Sequence, residues 1–406
     1  MTERLYYLDP YRLEFETRVV ERTRVGDKPG VILESTCFYP TSGGQPHDEG
    51  SLNDAPVINV FEREDKAIVH VLATEFRGDA VHGAIDWETR FDHMQQHTGQ
   101  HILSQAFLKI LRAETVGFHL GKEACTIDVD KAPLAVSQLD RVEDLTNEIV
   151  FADRPVKTYL VTETELTGLP LRKPPNVEMP IRVVEVEGFD YSPCGGTHCR
   201  RTGEVGLIKI TKVERRGQDT RVDFLCGGRA LADYRGKNQT VNELANQFSV
   251  GRWELAEAVE RLAEEAKSNK RELNAAKNRL LDYEAAELLA EAEPHGDIRV
   301  VRKALTGREG EEVRRLALRL MESAGCVALL GLAGKKAQLF FACSADLPYD
   351  MNDLLKKACR VVGGGGGGQR DFAQGGGLDG SKVSEALDVA RERLLDTGQQ
   401  VEQESE

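Results

Sequence analysis

The chain has 406 residues, 40% hydrophobic and 30% charged, the composition of a soluble protein and enough length for about two to four domains. Its longest apolar runs, such as Cys326 to Ala333, fall well short of a membrane span, and the N-terminal Met-Thr-Glu-Arg-Leu-Tyr-Tyr is no export signal, so a cytoplasmic protein without membrane association is expected. A net charge of −14 argues against non-specific polyanion binding, so any nucleic-acid contact must be local, and eight dilute cysteines point to metal ligation rather than a disulfide framework.

Residues 1–89 alternate apolar and polar side chains, as in Val31-Ile-Leu-Glu-Ser-Thr-Cys-Phe and Ala67-Ile-Val-His-Val-Leu, between Gly and Asp turns. That pattern predicts a small antiparallel β-barrel. Residues 90–229 open with a helix (Met94 to Arg112) and continue in mixed strands and helices, an α+β domain. Residues 230–293 are poor in Gly and Pro and rich in Ala, Glu, Lys, Arg and Leu, which predicts helix. There Leu255, Val259, Leu262, Ala266, Asn269, Leu273, Ala276, Leu280 and Tyr283 step by four and three, a heptad seam with one polar interruption. The seam fits either an exposed linker helix folding back on a neighbour or a coiled coil in a hairpin or dimer. Residues 294–406 predict a C-terminal α/β domain with a Gly-rich loop, Gly363 to Gly368, and a disordered acidic tail, Gln399 to Glu406. The fold class expected is α+β multidomain.

His97-Thr-Gly-Gln-His101 places two imidazoles on one helical face, about 6 Å apart. Far downstream, Cys194-Gly-Gly-Thr-His198 offers a thiolate and a third imidazole, and Pro193, Gly195 and Gly196 let the backbone turn both toward one point. Three imidazoles and a thiolate suit tetrahedral Zn(II), one ion per chain. His93, one turn before His97, would stand behind the ligands or at the surface. Against this stand two plainer possibilities, ordinary core histidines and a closed structural zinc site.

The strings His97-Thr-Gly-Gln-His-Ile-Leu and Cys194-Gly-Gly-Thr-His, followed by Cys199-Arg-Arg-Thr-Gly-Glu-Val-Gly, resemble the editing domain of alanyl-tRNA synthetase and of its free-standing AlaX-type relatives. Phe38-Tyr-Pro-Thr-Ser-Gly-Gly-Gln-Pro, which contains Gly43, Gly44 and Gln45, resembles the glycine motif of the barrel that precedes that domain. Gly363 to Gly368, followed by Gln-Arg-Asp-Phe-Ala-Gln-Gly-Gly-Gly, resembles the Gly-rich loop of the C-terminal domain shared with DHH-type phosphoesterases. The order of these motifs along the chain is more specific than any one of them. The resemblance implies a long-form AlaX-type protein acting in trans, a zinc-dependent aminoacyl-tRNA deacylase whose partner is tRNA(Ala) mischarged with serine or glycine. A class II aminoacylation domain has no room here, so no aminoacylation is expected; the DHH catalytic ligands are also missing, Phe91-Asp-His-Met being the one comparable string.

An apolar pocket for alanine rejects serine only about a hundredfold, so a second sieve that hydrogen-bonds the hydroxyl is needed. Thr36, Thr41, Ser42, Gln45 and Thr98 are candidates for that contact. His119 lies where the resembling domains carry a polar residue facing the substrate, a candidate base or hydrogen bonder, or an ordinary strand histidine. With four ligands on offer, one must leave, a fifth position must open, or the ion orients substrate while a side chain activates water.

From Cys199 to Val222 seven basic residues, Arg200, Arg201, Lys209, Lys212, Arg215, Arg216 and Arg221, outnumber three acidic ones and could hold acceptor-end phosphates. Lys356, Lys357 and Arg370 flank the glycine run, and the resemblance implies that this domain helps bind tRNA and supports a homodimer. The rival from another class is a zinc-stabilised tRNA-binding or assembly module without turnover.

Overall fold

The computed structural model describes residues 2–162, 165, 168–172 and 181–403. It divides into two compact units, Met1–Gln247 and Phe248–Glu406.

The first unit begins with a closed six-stranded barrel. In spatial order its strands are Glu14–Val25, Lys28–Leu33, Ile68–Leu72, Ala55–Glu62, Gly50–Leu52 and Ala80–Ile85, all antiparallel. Period-two alternation sends Phe15, Val31, Leu33, Leu52, Val60, Ile68 and Val81 inward, and closure leaves no free edge. Asn53 and Asp54, both at positive φ, form the two-residue turn between Leu52 and Ala55.

The barrel runs directly into the helix Trp87–Leu111. Asp86 caps it by accepting from the Thr89 amide, and Arg112 ends it in the left-handed conformation. One face of this helix (Met94, Ile102, Leu103, Ala106, Phe107) packs with helix Val136–Phe151 and with a four-stranded sheet, order Ile208–Arg216, Asp219–Cys226, Cys125–Val129, Thr115–Leu120. A three-stranded sheet, Val156–Val161, Ile181–Val186 and Asp190–Pro193, delivers the chain to Cys194. Barrel and helix are locked by Arg90, whose Nε and Nη2 grip the Asp48 carboxylate at 2.8 and 2.5 Å with both side chains fully buried.

Two long helices follow, Gly227–Phe248 and Leu255–Ala290. The expected heptad seam is helical, and Val259, Leu262, Leu273, Leu280 and Tyr283 are exposed within this chain. The stripe that is buried lies one residue over, at Leu281, Ala285 and Leu288, against Leu316 and Leu320 of helix Gly310–Met321. It is flanked by ion pairs Lys277–Glu312, Arg308–Glu284 and Arg319–Asp282. The C-terminal part of the helix is thus an element of the second unit rather than a coiled-coil strand within this chain.

The second unit is a six-stranded sheet, order Glu293–His295, Ile298–Leu305, Cys326–Leu332, Ala337–Cys343, Phe372–Gly377, Gly364–Gly368. Alternation along Cys326–Leu332 serves two cores. Val327 and Leu329 face helices Met351–Val361 and Val383–Gln403, while Ala328 and Leu330 face Gly310–Met321. The glycine run corrects the expectation of a loop, because Gly364–Gly368 is an edge strand paired antiparallel with Phe372–Gly377. A Cβ on Gly364, Gly366 or Gly368 would run into the backbone of the facing strand, so only glycine permits this close pairing. Of the tail expected to be disordered, Gln399 to Gln403 belong to the last helix and 404–406 lie outside the described residues. No helix among the described residues is long and apolar enough to cross a membrane.

Candidate metal centre

His97 and His101 stand one turn apart on Trp87–Leu111, each 3% exposed. Cys194 and His198 come from the turn after Asp190–Pro193, and the four ligand atoms lie within 4.8 Å of one another. The Cys194 Sγ is 3.4 Å from the Nε2 of His97 and 3.3 Å from that of His198. A nitrogen and a sulfur sharing one tetrahedral zinc would stand about 3.5 Å apart, given bonds of about 2.0 and 2.3 Å. The two sulfur–nitrogen distances match that spacing, and the donor set fits Zn(II) in chemistry.

Each imidazole is oriented from behind. The Nδ1 of His97 is 2.7 Å from the Oε1 of Gln45, that of His101 is 3.1 Å from the Oδ2 of Asp190, and that of His198 is 3.3 Å from the Oγ1 of Thr98. An oxygen acceptor at Nδ1 leaves Nε2 as the free lone pair, the arrangement that outer partners impose on metal-binding histidines. Asp190 is itself fully buried and held by the Ser192 hydroxyl at 2.9 Å, with Arg172 Nε at 3.6 Å. Burial alone would push the Cys194 thiol up, but the neighbouring His97, His198 and His101 rings hold it well below its ordinary value. A thiolate is the form a metal binds.

Two glycine features shape the site. Gly43 and Gly44, both at positive φ, make a tight turn closed by reciprocal Ser42 and Gln45 backbone hydrogen bonds, and this turn aims Gln45 at the cluster. Gly196 packs against the His97 ring and the Gln45 amide so closely that a Cβ would collide with both.

Gln45 and Thr98, expected to meet substrate, are brought to the cluster but are already committed. Gln45 Nε2 donates to Thr197 Oγ1 at 2.9 Å, and Thr98 Oγ1 accepts from the Cys199 amide at 3.0 Å. Thr36 is engaged inside the barrel with His70 Nε2 at 2.8 Å. On strand Thr115–Leu120 the residue that reaches the cluster is Phe118, its ring stacked on His97 at 5.3 Å between centroids. His119, on the opposite face by strand alternation, is exposed and is not brought to the ligands. His93 is buried with its Nδ1 unpartnered among the described residues.

The basic segment is more neutral than its composition suggests. Arg200 pairs with Asp9, Arg201 with Asp153, Lys209 with Glu143, Lys212 and Arg216 with Glu214, and Arg221 with Asp128. Arg215 keeps only a contact from Nε to the Gly217 carbonyl at 3.0 Å among the described residues. In the second unit Lys357 pairs with Asp353, and Arg370 donates to the Pro348 carbonyl at 2.6 Å. Sequence reasoning missed Asp190; a carboxylate four residues ahead of a candidate ligand cysteine was the available signal.

Three family matches cover much of the chain. Residues 11–89 match the class II (A) tRNA synthetases, 181–221 the second additional domain of threonyl and alanyl tRNA synthetases, and 297–396 the DHHA1 domain. The alanine--tRNA ligase of Pyrococcus abyssi is 34% identical over 95% of this chain, which spans 43% of that enzyme's length, and the ligase of Archaeoglobus fulgidus is 34% identical with the same 43% spanned. Among solved structures, the C-Ala domain from Aquifex aeolicus alanyl-tRNA synthetase matches 26% of this chain and 97% of its own at 29% identity, TM-score 0.25. The alanyl-tRNA editing protein AlaX-L of Pyrococcus horikoshii is 31% identical over 97% of this chain and 98% of its own. With ligand cluster, domain matches and full-length similarity in agreement, the chain belongs to the AlaX-L family of alanyl-tRNA editing proteins.

Proposed function

We propose that the chain is a trans-editing hydrolase that deacylates tRNA(Ala) mischarged with serine, and with glycine, using one Zn(II) held by His97, His101, Cys194 and His198. The observation that carries this reading is the buried cluster, in which every histidine has Nδ1 engaged by a fixed oxygen, in a member of an alanyl-tRNA editing family. When bound, the ion supplies Lewis-acid polarisation of the ester carbonyl or of a water. The protein's own part is positional: Gln45, Asp190 and Thr98 fix the imidazole tautomers. Ser42, exposed beside the Gly43-Gly44 turn, keeps a hydroxyl for the serine side chain, and Thr41, whose Oγ1 accepts from the His47 amide at 3.1 Å, still has its hydroxyl proton to donate. Once substrate covers them, alanine would leave those hydroxyls unpaired, which protects the correct product. Arg215 and Lys356, both exposed, would meet phosphates of the tRNA.

One observation favours a second reading. Four protein donors complete a tetrahedral set, as in a closed structural site, which suits a zinc-stabilised tRNA-binding or assembly module without turnover. Amino acid release from Ser-tRNA(Ala), Gly-tRNA(Ala) and Ala-tRNA(Ala) by the zinc-loaded chain separates the two. Serine release well above buffer, sparing of alanine and loss in a folded His101→Ala variant support editing. Binding of the same tRNAs without release supports the module.

A further inference from the structure

The turn that carries Cys194 is held from behind by a residue outside the ligand set. Arg182, on strand Ile181–Val186, is 9% exposed, and its Nη1 donates to the carbonyls of Cys194 at 2.8 Å and Gly196 at 2.9 Å. The Cys194 amide donates back to the Arg182 carbonyl at 3.0 Å, so backbone and side chain of one residue tie both ends of the turn. The guanidinium lies over the Tyr7 ring, 5.0 Å from its centre, and the Tyr7 hydroxyl in turn closes on Gly195, 3.2 Å from where a Cβ would stand.

No ion pair among the described residues explains this placement. Arg90, also buried, grips the Asp48 carboxylate with two nitrogens. Among the described residues Arg182 has no carboxylate partner, and its Nη2 has no hydrogen-bond partner at all. A buried guanidinium left in that state is costly. Its contacts are spent on the two carbonyls that bracket Gly195, which decide where the Cys194 sulfur points.

We propose that Arg182 is a positioning residue for the Cys194 ligand: its two carbonyl contacts set the Cys194-Gly195-Gly196 turn so that the sulfur meets the three imidazole nitrogens. This rests on the cluster being a metal centre. Lysine at this position keeps the charge but, with a single nitrogen on a flexible stem, cannot hold both carbonyls in the same geometry.

Titration of the full-length apo chain with Co(II) tests it, reading the cysteinate-to-cobalt absorption band and the affinity together. Wild type is expected to bind one Co(II) with the sulfur band, and Cys194→Ser to lose that band. Arg182→Met and Arg182→Lys are expected to keep the wild-type circular dichroism, bind about 10- to 100-fold more weakly and show a weakened or shifted sulfur band. Folded variants with unchanged affinity and band overturn the proposal. So does an Arg182→Lys chain that fails to fold, since Arg182 would then serve the fold and not the ligand. If wild type itself binds no Co(II), the metal reading falls first and the positioning role with it, an outcome visible before any variant is made.

Discussion

The Oε1 of Gln45 lies 2.7 Å from the Nδ1 of His97, so a side chain from the turn beside the barrel fixes the ring of a ligand on the long helix. The same amide donates to Thr197 in the Cys194–His198 turn, and Gln45 thereby joins both halves of the cluster. Gln45→Leu, which removes these hydrogen bonds with little change in volume, should weaken zinc binding about 10- to 100-fold while the chain stays folded. Competition with a chromogenic chelator measures it.

Gly196→Ala tests the steric side of the same junction. A methyl there meets the His97 ring and Gln45, so the turn must shift and the sulfur must leave the imidazoles. Metal analysis of the purified variant should show substoichiometric zinc, with circular dichroism close to wild type. Full occupancy would mean that the turn has room to spare.

The Arg90–Asp48 pair joins barrel to helix with both side chains fully buried. Asp48→Ala leaves a guanidinium without its carboxylate and should lower the stability of the first unit by about 3–5 kcal/mol. The double variant Asp48→Leu with Arg90→Met, which removes both charges, should recover most of that loss. Urea unfolding, followed by a probe in the first unit, gives both values.

His70 makes the barrel pH-sensitive. Burial pushes its pKa down to about 4, and its ring is held neutral between Thr36 and the Val31 carbonyl. Because the folded value lies below the unfolded value of about 6.5, the unfolded chain binds the proton first. Stability from this residue is present above about pH 6.5 and is lost as pH falls toward 4, where the loss reaches about 3 kcal/mol. Unfolding curves between pH 7 and 4 should therefore fall more steeply for wild type than for His70→Gln.

The four candidate ligands were legible as a group in the sequence because their spacing is local: His97 and His101 share a helix face, and Cys194 and His198 share a turn. The outer partners were not. Gln45 stands 52 residues from His97, and Asp190 stands 89 residues from His101, distances that only the packed fold closes. Gln45 and Thr98 were expected to meet the substrate hydroxyl, yet their hydrogen bonds go to the candidate ligands and the turn. His119 was placed by motif position, but strand alternation puts Phe118 on the cluster. The glycine run looked like a loop because glycine is flexible in isolation. In the sheet the missing side chains are what allow the edge strand to approach its neighbour. The heptad spacing correctly indicated helix, but its apolar seam is exposed while a stripe one residue over is buried.

Zinc K-edge X-ray absorption on the purified full-length chain is the most direct test of the metal centre. One zinc per chain with three nitrogens at about 2.0 Å and one sulfur at about 2.3 Å is the expected result, with the sulfur shell lost in Cys194→Ser. Zinc-free active protein, or zinc bound through nitrogen and oxygen alone, would contradict it.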